Sequence, residues 1–560
     1  MQSALRLRDR VAASPAAVGV AVVTVLALAA RLFALGQRVF HWDEARVGYW
    51  ILRYQESGAY EYRPIIHGPF LPQVNRLLFE VLGPTDFAAR LPVAVVGGLL
   101  PLAAWLFRDR LRDAEVVALA ALFALNPVLL YYSRFMRNDV LLAALMVFAL
   151  GFFVRAYDTR ETDYLYAGVA ALALAFTTKE NVVVYVGTWV GAFALVFDHR
   201  LFLARGTDRT PLDLVWSSLR RAAVGAWRWR VPLVVAVVEF FVIVVVFYAP
   251  RPEFGQALTN PAMLPGVVGA GTVGAAEAFW GTWVGGGMQG HQYLPYFEHY
   301  VSVLQAGGLV VVLLAAGGFL ADRYGGDEPR DLVSFAFYWG LASVFLYPHQ
   351  RHPGALDSGP RHRPAGDTGR RRRRHRRPSR PPWTRRGRHR ERRARARHPG
   401  RAGRTDVGHG RERGLREPAG QRLAARPVRP AGKRGATRRT RRRGEGRPEQ
   451  RRSDVLFYGE HFHVPDEADA RQPPVTSGNW HNRLPMTWYL ERGGVRPTSS
   501  THLDDVTADG PPVVITLADH EKDLSPRLEN YRATTHEITL TNTETVVFVD
   551  RDALDDDTRT

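Results

Sequence analysis

The sequence predicts an all-α polytopic membrane domain, of the kind built from many apolar helices, followed by a small α/β domain outside the bilayer. Three observations predict it. Apolar segments of spanning length recur through the first 350 residues, Arg-rich loops fall on alternate sides of them, and short β-branched runs are confined to the stretch after residue 452. Between these parts lies a block of different character, 351–452.

The N-terminus carries Arg6, Arg8 and Arg10 ahead of an apolar run from Ala16 to Gly36, which continues into Arg31 without a small-x-small cleavage site. This predicts a retained first span with a cytoplasmic N-terminus. Further spans are expected at Leu91 to Phe107, Ala114 to Tyr132, Val140 to Tyr157, Tyr164 to Thr178, Val182 to Phe197, Val231 to Tyr248, Val301 to Ala321 and Leu332 to Tyr347, about nine in all within 1–350. Alternating from an inside start, the inside loops carry Arg108, Arg110 and Arg112, then Arg155 and Arg160, then the Arg200 to Arg230 group, then Arg323 and Arg330. That agreement supports the order of spans. The outside segments are the loop 37–90, the turn 133–139, the turn 178–181 and the loop 249–300.

Formal charge is +20, from 74 Lys and Arg against 54 Asp and Glu. Residues 351–452 hold 37 basic and 8 acidic residues, so the remainder is acidic, at 37 against 46. Lysine occurs only at Lys179, Lys433 and Lys522, an Arg bias that points to a GC-rich gene. The absence of Cys excludes disulfides, thiolate metal sites and Cys nucleophiles.

The block 351–452 contains no Ile, Phe, Tyr, Met or Asn and a single Trp, Trp383. One reading is a disordered basic tract for nucleic acid or anionic lipid, because such a composition cannot bury a core. The reading preferred here is a pair of frame shifts, near His349 to Pro353 and near Arg452, replacing about four spans. A dense Arg block on the outer face opposes the positive-inside rule, and a GC-rich gene read out of frame yields this mixture. A chain lacking those helices is expected to be inactive, and nucleic acid is not the expected partner.

After Ser453, runs at Asp454 to Tyr458, Val513 to Leu517, Glu537 to Leu540 and Thr545 to Val549 are expected strands, with helices at Met486 to Arg492 and Ser525 to Tyr531. His461 and His463 would alternate along a strand beside Glu460, a weak pattern for a metal.

Chemistry is expected where outside charges converge. Asp43 and Glu44 follow the first span, Arg137 and Asp139 follow the third, and Lys179 and Glu180 precede the sixth. Carboxylates there can take a proton from an attacking hydroxyl or hold a divalent metal, and the cations can neutralise a phosphate. Each cluster alone is more often a solvated helix end, and Arg137 with Asp139 could equally be a local ion pair, so their joint placement carries the expectation.

With these motifs, the chain resembles the C-type membrane glycosyltransferases, the superfamily of protein O-mannosyltransferases and aminoarabinose transferases. Within it, HWDEARVGYW, YRPIIHGPF, YYSRFMRND, DVLFYGEHFHV and SGNWHNRLP are similar to an archaeal family associated with lipid-linked-sugar flippase activity. The resemblance implies transfer of a sugar from a polyprenyl-phosphate (dolichol-phosphate) carrier to an acceptor on the outer face of the cell membrane. It implies Asp43 as base or acceptor-orienting carboxylate with Glu44 supporting it, and Arg137, Asp139, Lys179, Glu180 and His67 around the donor phosphate or a metal. The implied partners are the lipid-linked sugar, the bilayer and other glycosylation or flippase components. The alternative is a non-catalytic accessory protein of lipid-linked-sugar translocation.

Overall fold

The structure, a computed structural model, describes residues 14–64, 67–204, 210–282, 293–325, 329–346, 453–472, 478–507, 510–537 and 543–553. The N-terminal arginines and the block 351–452 lie outside the described residues.

Helix α1 (Pro15–Leu32) begins where the Ser14 side chain accepts from the backbone N–H of Ala17 and Pro15 occupies the first turn. The expected outer loop 37–90 is largely helical. It holds α2 (Trp42–Ser57), α3 (Phe70–Leu82) and the start of α4 (Asp86–Leu99), which continues as a 3-10 turn through Phe107. Then come α5 (Asp113–Leu125), α6 (Pro127–Tyr132), α7 (Asn138–Thr159), α8 (Thr162–Thr178), α9 (Val182–Ala204), α10 (Pro211–Arg228) and α11 (Arg230–Tyr248). The membrane region ends with α12 (Tyr293–Gly307), α13 (Leu309–Tyr324) and α14 (Asp331–Leu346).

Among the described residues, six helices are long and apolar enough to cross a membrane, or seven if α12 and α13, bent by 88°, form one broken span. The protein is a multi-pass membrane protein. The expected span Ala114 to Tyr132 is broken at Asn126, where Pro127 starts a new helix. Those expected at Tyr164 to Thr178 and Leu332 to Tyr347 are helices of 17 and 16 residues. In addition, Pro261–Trp280, assigned above to an outer loop, is apolar and long enough to span, and it includes a π-helical turn at Ala270–Gly274.

The C-terminal part is a five-stranded sheet of β1 (Val455–Tyr458), β2 (Pro497–Ser500), β3 (Val513–Leu517), β4 (Tyr531–Glu537) and β5 (Glu544–Asp550), in the order β2-β1-β3-β5-β4. β1 is parallel to β2 and β3, whereas β5 is antiparallel to β3 and β4. Helix α15 (Met486–Arg492) makes the crossover between β1 and β2. Three expectations are corrected. Ser525 to Tyr531 is a 3-10 turn at Ser525–Arg527 that leads into β4, because Pro526 and Asn530 interrupt the run. The strand expected from Glu537 instead ends there, and residues 538–540 lie outside the described residues. His461 and His463 sit in the turn after β1, not along a strand, so strand alternation does not place them on one face. β2 was not foreseen, since Pro497-Thr-Ser-Ser500 lacks the apolar pattern of a strand.

Candidate active site

The site is built on the N-terminal turn of α2. His41 is the cap: its Nδ1 accepts from the Asp43 backbone N–H at 3.3 Å, and Glu44 Oε2 accepts from the His41 backbone N–H at 2.9 Å. This cap turns two adjacent carboxylates in different directions. Burial, only partly offset by Asp43, holds the His41 imidazole below its ordinary value and favours the neutral ring that the cap requires.

Glu44 points inward and is 0% exposed. Arg90, equally buried, meets it with two parallel bonds, Nε to Oε1 at 2.8 Å and Nη2 to Oε2 at 2.9 Å. The Met136 backbone N–H donates to Oε1 at 2.8 Å, and Arg38 lies 3.3 Å from Oε2. Arg90 also donates to the carbonyls of Leu35 and Arg38, at 3.0 and 2.8 Å. Both oxygens of Glu44 are therefore occupied, and the pair ties α2, α4 and the turn before α7 together.

Asp43 faces the other way and stays partly exposed. Its Oδ2 is 2.8 Å from Arg137 Nη1, and its Oδ1 lies 3.9 Å from Arg46. Arg137 Nε then reaches Asp139 Oδ2 at 3.2 Å, and Lys179 Nζ reaches Asp139 Oδ1 at 2.7 Å. Five side chains from α2, the start of α7 and the end of α8 thus form a row of alternating charge: Arg46, Asp43, Arg137, Asp139, Lys179.

Glu180 and His67 continue the site beside Lys179. Glu180 Oε1 accepts from the Tyr62 hydroxyl at 3.0 Å, and Oε2 lies 3.3 Å from His67 Nδ1. Burial and then Glu180 push the Tyr62 hydroxyl far above its ordinary value, which keeps it a neutral donor. The loop reaches α8 through Gly68, whose N–H donates to the Thr178 carbonyl at 3.0 Å; a Cβ there would lie 2.2 Å from the Thr177 carbonyl oxygen. Close approach of two backbones requires glycine at this point.

All seven residues expected from the sequence therefore lie at one end of the same helices: Asp43, Arg137, Asp139 and Lys179 in contiguous contact, Glu180 and His67 beside them, and Glu44 behind. Arg90, Arg46 and Tyr62 belong to the site without being among the residues expected from the sequence. Arg90 carried a signal, being a lone cation at the head of an apolar run, where a partner is demanded. Arg46 and Tyr62 stand in the motifs HWDEARVGYW and YRPIIHGPF, with no role assigned to either by the sequence.

Arg137 separates Asp43 from Asp139, Glu44 is committed to Arg90, and no group of three or more His, Asp or Glu among the described residues is placed to hold a metal ion.

The C-terminal domain reaches the back of α2. Trp488, fully buried, stacks on Phe40 with centroids 4.9 Å apart, and a Cβ on Gly48 would lie 2.7 Å from the Trp488 ring. Asp86, at the start of α4, accepts from Trp488 Nε1 at 3.0 Å, from the Tyr489 hydroxyl at 2.8 Å and from Arg492 at 3.0 Å. Burial pushes the Tyr489 hydroxyl up to about 12.

Comparison with known proteins follows this division. Residues 66–207 match the dolichyl-phosphate-mannose-protein mannosyltransferase family, a stretch that contains His67, Arg137, Asp139, Lys179 and Glu180 and begins after Asp43. Residues 440–550 match the Agl23 flippase-associated protein C-terminal domain. No curated protein matches the chain. Among solved structures, the chain is similar to ArnT from Cupriavidus metallidurans bound to undecaprenyl phosphate, at 20% identity and TM-score 0.41, over 59% of this chain and 56% of that one. It is also similar to the S. cerevisiae protein O-mannosyltransferase Pmt1–Pmt2 complex bound to the sugar donor, at 20% identity and TM-score 0.30, over 41% of this chain and 34% of that one. The chain thus spans just over half the length of the first of these and a third of the second. The resemblance read from the motifs is borne out by the two sequence families: one stretch of the chain is similar to the dolichyl-phosphate-mannose-protein mannosyltransferase family and another to the Agl23 flippase-associated C-terminal domain.

Proposed function

We propose that the protein is a membrane glycosyltransferase that moves a sugar from a polyprenyl-phosphate-linked donor to an acceptor hydroxyl at the extracytoplasmic face. The observation that carries this reading is the row Asp43, Arg137, Asp139, Lys179, assembled from three separate elements at one end of the helices. A lipid-linked donor stays in the bilayer, so its phosphate must meet cations at the membrane boundary. Arg137 and Lys179 are those cations, with Asp139 holding both in register.

Asp43 is the carboxylate with an oxygen not committed to a short ion pair. The acceptor oxygen bonds to the anomeric carbon, the bond from that carbon to the phosphate oxygen breaks with its electron pair, and the hydroxyl proton passes to Asp43. Polyprenyl phosphate leaves, its charge met by Arg137 and Lys179, and attack from the opposite face inverts the anomeric centre. Glu44 acts through α2: it holds the cap that aims Asp43 and touches no substrate. His67 and Tyr62 fix Glu180 next to Lys179.

A transfer assay with a labelled polyprenyl-phosphate hexose tests the reading, on the chain and on the product of a gene with its frame corrected across 351–452. Asp43→Asn is expected to lower transfer by about 10²–10⁴-fold, the usual worth of a general base, while donor binding persists. The match to a flippase-associated domain favours a second reading, a non-catalytic component of lipid-linked-sugar translocation. Under that reading the corrected protein transfers no sugar, and Asp43→Asn leaves translocation unchanged.

A further inference from the structure

Helix α10 joins α11 at the end opposite the candidate site. The far end of α11 is fixed by Tyr248, whose hydroxyl donates to the Phe176 carbonyl at 2.7 Å and whose ring meets that of Tyr62, the partner of Glu180, at 4.7 Å. α11 has 19 residues, roughly 28 Å at about 1.5 Å per residue, close to the ~30 Å of a bilayer's hydrocarbon core. α10 therefore ends, through Trp229, at the opposite membrane boundary.

The sequence of α10 has two faces. At about 100° per residue, Leu212, Val215, Trp216, Leu219 and Trp227 fall within one arc of roughly 120°, and Ser217, Arg221 and Arg228 lie on the opposite side. The protein does not cover the apolar arc. None of the described side chains of α10 is buried, and Trp216 and Trp227 are 72% and 70% exposed.

The charges are a second, independent observation. Elsewhere on the loops of this boundary, Arg110 meets Asp158, Arg155 meets Asp109, Arg200 meets Asp331, and Arg330 meets Asp322 and Glu115. Arg220, Arg221, Arg228 and Arg230 meet no carboxylate among the described residues; Arg221 donates to Ser218, and Arg230 to the Trp227 carbonyl. The acid of α10, Asp213, is taken up by the cap, where it accepts from the Thr210 hydroxyl at 2.6 Å. Unmatched positive charge beside an open apolar arc calls for a partner that is anionic at its surface and apolar beneath.

A second copy of the chain would bring like charges to these arginines, and so would the block 351–452, which is itself basic. A nucleic acid would neutralise the arginines and leave the apolar arc in water. A membrane leaflet offers both layers in the required order, phosphates above acyl chains, at the boundary where α11 enters it. We propose that α10 is an interfacial helix that binds anionic phospholipid. Trp216, Leu219 and Trp227 lie at the acyl boundary, and Arg220, Arg221 and Arg228 reach the phosphates. The inference rests on the transferase reading only for naming that leaflet cytoplasmic.

The test uses the full chain in lipid nanodiscs. Because the chain has no Cys, Leu219→Cys or Ser217→Cys each carries one spin label, read by electron paramagnetic resonance for access to oxygen, which enters acyl chains, and to a water-soluble nickel chelate. In discs containing phosphatidylglycerol, the label of Leu219→Cys is expected to favour oxygen and that of Ser217→Cys nickel. Discs of phosphatidylcholine alone are expected to raise nickel access at Leu219→Cys. Adding Arg220→Gln, Arg221→Gln and Arg228→Gln should abolish that lipid dependence, a loss on the order of 10²-fold in surface affinity for three charges. Three results overturn the inference: equal nickel access at the two labels, access of neither reagent to Leu219→Cys, as a covering segment or a second copy would give, or nickel access that does not respond to phosphatidylglycerol. The labels read no sugar transfer, so a failed transfer assay leaves their result standing.

Discussion

Asp43 and Glu44 are neighbours in sequence and opposites in setting. Glu44 is fully buried, its two oxygens filled by Arg90, the Met136 N–H, the His41 N–H and Arg38. Asp43 is partly exposed, with one short ion pair to Arg137. A buried pair with every lone pair occupied is a structural joint, because freeing either charge for chemistry would leave the other stranded. A partly solvated carboxylate beside two cations can gain and lose a proton without dismantling the fold. Equal residue types, one position apart, therefore divide into a part that holds and a part that acts.

The largest expected effect is on the holding part. Arg90→Met leaves Glu44 buried without its partner and is expected to cost about 3–5 kcal/mol, read as a fall in the thermal midpoint of the detergent-solubilised protein. A second break falls where the C-terminal domain meets α2. Trp488→Ala removes the ring stacked on Phe40 and seated on Gly48, at about 3–5 kcal/mol for a fully buried tryptophan, and protease cleavage between the two parts should rise with it. On the acting part, Lys179→Ala removes the cation at the end of the row. Its expected loss in transfer is about 10²-fold or more, with the midpoint changed far less than by Arg90→Met.

Acidification produces a smaller effect of known sign. Burial lowers the folded-state pKa of His41 and of His481 below the ordinary 6.5, so the unfolded chain binds these protons first. Their contribution to stability is complete above pH 6.5 and is lost as the pH falls from there through the lowered folded values. His41→Asn keeps a cap acceptor that cannot be protonated, and a pH titration of the midpoint should flatten in that variant.

The contrast between the two carboxylates also marks what was legible in the sequence. The convergence of Asp43, Arg137, Asp139 and Lys179 followed from apolar segments and loop charges, because topology alone decides which loops share a face. The division of labour between Asp43 and Glu44 did not, since it depends on Arg90, 46 residues away, and on a helix in what hydropathy presents as a loop. Amphipathic helices such as α2 and α3 are hidden from a search for spanning segments, as their apolar faces fill only part of each turn. Breaks at Asn126-Pro127 and at Gly307-Gly308 divided apolar runs that hydropathy treats as continuous. In the C-terminal domain, the β-branched strands β1, β3 and β5 were evident, whereas Pro497–Ser500 becomes a strand through its parallel pairing with β1.

The most direct test sets Asp43→Asn beside Glu44→Gln, with transfer and thermal midpoint measured on the same preparations. The account predicts that Asp43→Asn lowers transfer by about 10²–10⁴-fold at an unchanged midpoint, and that Glu44→Gln lowers the midpoint while the folded fraction keeps measurable transfer. The reverse pattern, transfer surviving Asp43→Asn and abolished by Glu44→Gln without loss of stability, would contradict it.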